Sequence, residues 1–272
     1  MAGELPENAR NDAAGKEMEN KLQLFRQEYA QNVPCTGVFK GSTFLLPRQI
    51  KSGELAKFRT SGESCIARPS GENPSPREEF FLPFYVNESN LVPLEEKLLA
   101  FLEKGGYRVR VSSPYGFPFI KKVVEKLEKK NGKMENPLCI KTAMPLHVCN
   151  SFAVSLLASA GACMVQASPE LGKTEMEELC RKSPLPVEIY VYGRPVLLGT
   201  RAALPVEGKM TDSKGEVFLV EKENILTLIL PEKLLDIPVC KGAAGVFYDL
   251  RYVSSGSREQ KKGRFNFDVS LA

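Results

Sequence analysis

Between residues 80 and 193, apolar positions alternate between short continuous runs and stripes at helical spacing. "FFLPFYV" opens the series as a short apolar run. In "LVPLEEKLLAFLEKGG", Leu94, Leu98, Phe101 and Leu102 fall on one helical face, and Gly105 stands where the helix stops. "YRVRVSS" is extended. In "FIKKVVEKLEKKNG", Ile120, Val123, Val124 and Leu127 have the spacing of a buried stripe, with the lysines on the other face. "LCIKTAMPLHVCN" is again extended. It leads to a helix capped by Asn150 or Ser151, with Ala153, Leu156, Leu157 and Ala160 facing inward and Gly161 at its end. "ACMVQAS" is a buried strand, and Thr174 with Glu177 makes a capping box for "EMEELCRK", where Met176, Leu179 and Cys180 share a face. "LPVEIYVYG" closes the series.

This is a strict alternation of strands and helices at the spacing of βαβ crossovers, so the strands should form a parallel sheet. A closed eight-stranded barrel typically takes about 250 residues of such units, and only half as many are present. The expected fold is therefore α/β, a partial (half) TIM-like β/α barrel with parallel strands, plus a C-terminal β-rich extension. The expected divisions are 1–79, an N-terminal helix ("ENKLQLFRQEYAQN"), a short β piece and a flexible Ser/Gly/Pro-rich linker; 80–200, the partial barrel; and 201–272, the extension and a basic tail. Within the extension, Asp212 to Gly215 is a turn between extended segments.

Composition narrows the class. With 43% hydrophobic and 26% charged residues over 272 positions, the chain can bury a sizeable core. It has no apolar run of membrane-spanning length, and its start is polar and acid-rich, which points to a cytoplasmic protein that does not meet a membrane. A net charge of +4 permits a polyanion partner without pointing to one. The seven cysteines form no CxxC or CxxxC pair, and buried free thiols are the expectation.

One stretch invites a catalytic reading. His147, the sole histidine, precedes Cys149 and Asn150, the residue types of a thiol protease. His147 and Cys149 are two apart on an extended segment, so they share a face in local contact, and a structural histidine is the expectation. Chemistry in β/α barrels sits at the C-terminal ends of strands. That rule selects Asn87, Glu88, Ser112, Ser113, Asn150, Glu170, Arg194 and Arg201. Glu170 suits a general base or a substrate anchor, or else an ion pair; Asn150 a ligand contact or a helix cap; Arg194 and Arg201 an anion clamp or a surface pair. Arg108 and Arg110 face one side of a strand otherwise suited to burial, which suggests a polar cavity.

Four motifs, in order and spacing over about 80–238, carry a resemblance. They are Asn150-Ser151 before a helix, Ser168-Pro169-Glu170-Leu171 after a strand, Tyr192-Gly193-Arg194 at a strand end, and the Asp212 to Gly215 hairpin. In these the chain resembles the peptidase U32 family, the collagenase-like proteases, and in particular the C-terminal half of its long members. "STFLLPRQI" looks like the end of the insert that precedes that half. The resemblance implies kinship with oxygen-independent hydroxylases of RNA bases or quinone precursors, whose cysteines hold an iron-sulfur cluster. Those cysteines follow the "YGR" strand closely, and residues 193–215 here contain none. No cluster and no metal are therefore expected in this chain. The implied role is a substrate-binding or accessory part of a modification system. Arg110, Asn150, Ser168, Arg194 and Arg201 are the candidate substrate contacts. The alternatives are a metal-independent peptidase working through Glu170 or Cys149, and an inactive remnant. Partners left open are a second chain completing the barrel, RNA, or a peptide.

Overall fold

The computed structural model describes residues 42–45, 64–66, 74, 78–134, 136–223 and 225–252. The expected helix at 19–32, most of the expected linker and the basic tail lie outside the described residues.

The fold is α/β, a partial TIM-like barrel of parallel strands with a C-terminal antiparallel extension. Its alternating part runs β3 (Phe80–Phe81), α1 (Leu91–Glu103), β4 (Arg108–Val111), α2 (Gly116–Asn131), β5 (Cys139–Thr142), α3 (Ser151–Ser159), β6 (Ala162–Ala167), α4 (Lys173–Lys182) and β7 (Val187–Gly193). Each helix lays its apolar stripe on the outer face of the strands. Leu98, Phe101 and Leu102 of α1 and Ile120, Val123 and Leu127 of α2 pack with Val109 and Val111 of β4. Val154 and Ala158 of α3 and Met176 and Leu179 of α4 pack with Val165, Ala167, Val187, Ile189 and Val191. Gly105 follows α1 at φ +86°, a left-handed conformation that stops a helix cheaply only in glycine.

Two local expectations are corrected. On α3 the buried pair is Val154 and Ala158, while Leu156 is 72% exposed and Phe152 57%. The segment "SFAVSLLAS" is apolar on every side, so its spacing does not fix which face turns inward. The capping box of Thr174 and Glu177 does not form. The cap of α4 is Gly172, and the helix begins at Lys173, so Thr174 is already inside its first turn.

The parallel layer reaches beyond residues 80–200. After β7 the chain forms β8 (Leu198–Thr200), β9 (Gly208–Thr211), β10 (Val217–Glu223) and β11 (Leu226–Pro231), an antiparallel sheet in the order β8-β11-β10-β9. The short β12 (Leu235–Asp236) then pairs antiparallel with the end of β7, and β13 (Gly245–Asp249) pairs with β7 in parallel. β1 (Ser42–Leu45) lies parallel to β13, and β2 (Ser64–Ile66) parallel to β1. Eight parallel strands thus follow one another in the order β2-β1-β13-β7-β6-β5-β4-β3.

This layer is strongly curled. Five steps separate β3 from β13, which in a flat sheet is about 24 Å at roughly 4.8 Å per strand. Yet Phe81 of β3 packs against the Tyr190–Phe247 pair of β7 and β13, and the Arg251 guanidinium just past β13 lies 5.5 Å from the Phe81 ring. The inner face is a closed interior, as in barrels.

Candidate functional site

The inner face carries a polar residue on each of four successive strands: Arg110 on β4, Lys141 on β5, Gln166 on β6 and Glu188 on β7. Parallel register places Arg110 beside Lys141 and Gln166 beside Glu188. Glu79, just before β3, completes the set, and all five are buried. Arg110 Nε donates to Glu79 Oε2 at 2.7 Å, and Arg110 Nη2 donates to Glu188 Oε1 at 3.1 Å. Arg110 Nη1 donates to Glu188 Oε2 at 2.5 Å and to the Thr142 carbonyl at 3.2 Å. Lys141 Nζ donates to the other Glu79 oxygen. Gln166 Nε2 donates to Glu188 Oε2 at 3.1 Å, while its own oxygen accepts the Met144 N–H at 2.9 Å. Two acids and two bases balance, and the guanidinium lies 4.8 Å from the Phe247 ring. Charges this deep are tolerated because they are paired and hydrogen-bonded.

The network sets a pH dependence. Burial acts to raise the Glu79 carboxyl, but the charges and hydrogen bonds of Arg110 and Lys141 outweigh it and hold the group at about 2, against 4.5 for an ordinary glutamate. A carboxyl depressed on folding contributes stability that is complete above its unfolded value and is lost as pH falls toward its folded value. Unfolding free energy should therefore decline between about pH 4.5 and pH 2. Denaturant melts over that range check this, and Glu79→Gln should flatten the slope; an unchanged slope in the variant would assign the acid sensitivity elsewhere.

Above the network, at the C-terminal ends of β3, β5, β6, β7 and β13, lies a half-open cleft with room for about one water molecule. Phe81, Phe84, Met144, Pro145, Val196 and Phe247 form its apolar walls, and Gln166, Tyr190, Asp249 and Arg251 are its polar groups. The antiparallel sheet flanks it, with Val196 packed against Leu228, Leu230 and Phe84. Most of the polar groups are engaged. Gln166 is held by Glu188 and Met144, as above. Asp249 accepts from Arg251 through Nε at 3.0 Å, Nη2 at 2.8 Å and the backbone N–H at 3.1 Å. Tyr190 differs: it is 1% exposed, and its hydroxyl makes no well-formed hydrogen bond among the described residues. Burial, then the charge of the neighbouring Asp249 carboxylate and a weak hydrogen-bond contact with it, push its pKa well above the usual phenol value, against the opposing charge of Arg251.

The residues selected from sequence are scattered around this centre. Arg110 sits under the cleft and is committed to two carboxylates, so it has no free face for a ligand. Asn150 is an exposed helix cap whose Oδ1 accepts the Ala153 N–H at 2.9 Å. Ser168 is buried, with Oγ 3.2 Å from His147 Nδ1 and accepting from the Glu170 N–H at 3.5 Å. Glu170, His147 and Cys149 are exposed, while Val148 between the last two is fully buried, so both side chains turn outward on the same side. Arg194 donates to the Glu232 carbonyl at 3.1 and 3.0 Å and to the Tyr252 carbonyl, tying the end of β11 to the chain after β13. Arg201 is exposed and bonds the Tyr85 hydroxyl at 3.1 Å. Asn87 caps the short turn Glu88–Asn90, with Glu88 exposed. Ser112 Oγ donates to the Leu82 carbonyl at 3.0 Å, and Ser113 is half-buried at the start of the loop into α2. Arg108 is half-buried with its guanidinium 5.3 Å from the Tyr107 ring. Asp212 shapes the β9–β10 turn, accepting the N–H groups of Lys214 and Glu216 at 2.8 and 2.9 Å.

Sequence reasoning missed Glu79, Lys141, Gln166, Glu188, Tyr190, Asp249 and Arg251. A signal existed, because "CIKT", "MVQA" and "VEIY" each interrupt an apolar strand with a polar residue, as "RVRV" does. No group of three or more His, Cys, Asp or Glu among the described residues is placed to hold a metal ion. Among the described residues, no helix is long and apolar enough to cross a membrane.

No protein-family model matches the chain, and comparison with curated proteins finds no match. Among solved structures, the chain is similar to a U32 peptidase at 12% identity and a TM-score of 0.42, over 83% of this chain and 96% of that one. It is also similar to the putative copper homeostasis protein CutC from Streptococcus agalactiae, at 9% identity and a TM-score of 0.38, over 55% of this chain and 87% of that one. At identities and TM-scores this low, the two structures assign neither a family nor an activity to the chain.

Proposed function

We propose that this chain is a U32-peptidase-like barrel protein that binds a planar substrate group at the mouth of its parallel layer. In this reading it is the substrate-binding or accessory part of an oxygen-independent hydroxylation or RNA-modification type system, and it carries no iron-sulfur cluster of its own. The observation behind this reading is the Tyr190 hydroxyl, buried at the cleft without a well-formed hydrogen bond while the Gln166 and Asp249 side chains around it are engaged. A buried hydroxyl left unmade costs free energy that a ligand acceptor can recover. Aromatic and proline walls suit the face of a ring, and a single donor suits a carbonyl or ring nitrogen at its edge. An RNA base has this chemistry. Since the cleft is narrow as it stands, entry requires Phe84 and the residues at 195–196 to move apart. With eight parallel strands already in this chain, a partner chain in this reading supplies the redox group rather than the missing half of a barrel.

The test is a titration with single-stranded RNA oligonucleotides and free nucleosides at low salt, followed by protein NMR. The wild type should show shifts centred on β7 and β13, and Tyr190→Phe, which keeps the ring and removes only the hydroxyl, should weaken binding about tenfold. Equal binding by both proteins, or none by the wild type, would overturn the reading. The peptidase alternative relies on Cys149 or Glu170, which lie exposed at the β5–α3 and β6–α4 connections. Peptide hydrolysis by the wild type that disappears in Cys149→Ala or Glu170→Ala would establish that alternative instead.

A further inference from the structure

Cys180, half-buried in α4, and Cys240, 5% exposed in the segment between β12 and β13, are free thiols whose sulfurs lie 4.0 Å apart. They are 60 residues apart in sequence. The β12–β13 segment bends closely around the helix at this point. Gly242 has φ +88°, and a side-chain carbon placed there would come within 3.1 Å of Cys180 Cβ.

We infer that Cys180 and Cys240 are a redox-responsive dithiol pair that closes to a disulfide when it meets a low-molecular-weight disulfide such as oxidised glutathione. The first thiolate attacks one sulfur of the glutathione disulfide, forming a mixed disulfide and releasing one glutathione thiolate. The second protein thiolate then displaces the other glutathione, so two protein thiols lose two electrons and two protons and one glutathione disulfide becomes two glutathione thiols. The product ties α4 to the segment that leads from β12, paired with the end of β7, into β13, which carries Asp249 at the cleft. The pair thus lies outside the proposed binding site but fixes one of the strands that build it.

Both thiols are shielded. Burial raises Cys180 to about 12, with the neighbouring Cys240 and Glu177 adding to the effect. Burial and Glu177 also raise Cys240, while Cys180 and Lys173 act in the lowering direction. Thiolate is scarce at neutral pH, so closure is slow there and accelerates as pH rises.

The experiment uses the full chain bearing Cys149→Ser, which removes the thiol that is exposed among the described cysteines, incubated with oxidised glutathione over a range of pH. Intact mass should fall by about 2 Da per bridge formed, and peptide mapping after thiol blocking should recover the peptides of Cys180 and Cys240 joined. The joined peptide should vanish in either Cys180→Ser or Cys240→Ser and separate on reduction. A bridge mapped to another pair overturns the inference. So does a chain that carries only glutathione adducts, or one that stays fully reduced under conditions that modify Cys149 in the wild type.

Discussion

Replacing Arg110 by alanine should destabilise the fold by about 3–5 kcal/mol, the usual loss when one member of a buried ion pair is removed and its partners are left uncompensated. Glu79 and Glu188 are each 1% exposed and share this guanidinium, which also holds the Thr142 carbonyl. After truncation Glu79 keeps Lys141, Glu188 keeps only the neutral Gln166 amide, and the space beside Phe247 empties. Arg110→Lys should fall between wild type and alanine, since one ammonium cannot bridge two acids in the forked geometry that the guanidinium provides. If the alanine variant does not fold, Glu188→Gln offers a milder test that keeps the shape and removes one charge. Denaturant midpoints measure all three. A loss under about 1 kcal/mol for Arg110→Ala would mean that water reaches the network, and the reading of a closed interior would fail with it. The four hydrogen bonds that Arg110 makes here also explain why an arginine facing into a cavity is not, on that ground, a substrate contact: every donor direction used by the network is taken from the ligand.

The helical part of the fold was legible where the pattern was one-sided. α1 and α2 have one apolar stripe and one charged face, so their buried residues follow from spacing. α3 has no charged face, and its orientation comes from packing against β6 and the core around it, which local periodicity does not contain. The same distinction separates the strands. β4 to β7 are each coupled to a following helix and read as a series. β13 and β1 are short runs whose parallel neighbours, β7 and β13, are chosen by long-range pairing. Ser42 lies opposite Val246, and nothing within either run names the other. The site suffered twice from this. Its cleft needs β13, which local reading placed in the extension. Its network needs Glu79, which stands at the end of a stretch with the composition of a linker. Arg110 was singled out because two arginines alternated on one strand; Lys141, Gln166 and Glu188 occupy equivalent inner positions but appear once each, and only the register of four strands makes them a layer.

Gly193→Ala should be the most damaging single-carbon addition in the barrel, costing about 3 kcal/mol or more. Gly193 ends β7 at φ +133°, a region that side chains disfavour, and a Cβ there would lie 2.3 Å from the Asp249 carbonyl oxygen, 2.8 Å from Asp249 Cβ and 2.7 Å from the Tyr190 hydroxyl. The Asp249 carbonyl is backbone fixed by the β7–β13 pairing, and Asp249 Cβ is bonded directly to that backbone, so neither can move aside cheaply. The backbone and steric contributions can be separated. Gly105 and Gly132 have φ of +86° and +81° with nothing within 4 Å of an added carbon, so Gly105→Ala and Gly132→Ala should show only the conformational penalty, about 1 kcal/mol each. Unfolding measurements on the three variants give the difference. A Gly193→Ala loss no greater than the other two would mean that β7 and β13 do not approach so closely. A larger one, accompanied by NMR shifts at Tyr190 and Asp249, would show that the glycine of the Tyr192-Gly193-Arg194 turn is what permits the phenol and the carboxylate to meet at the mouth of the layer. On that result the motif that carried the resemblance acts through its middle residue, by close approach, while Arg194 serves to anchor the chain on either side.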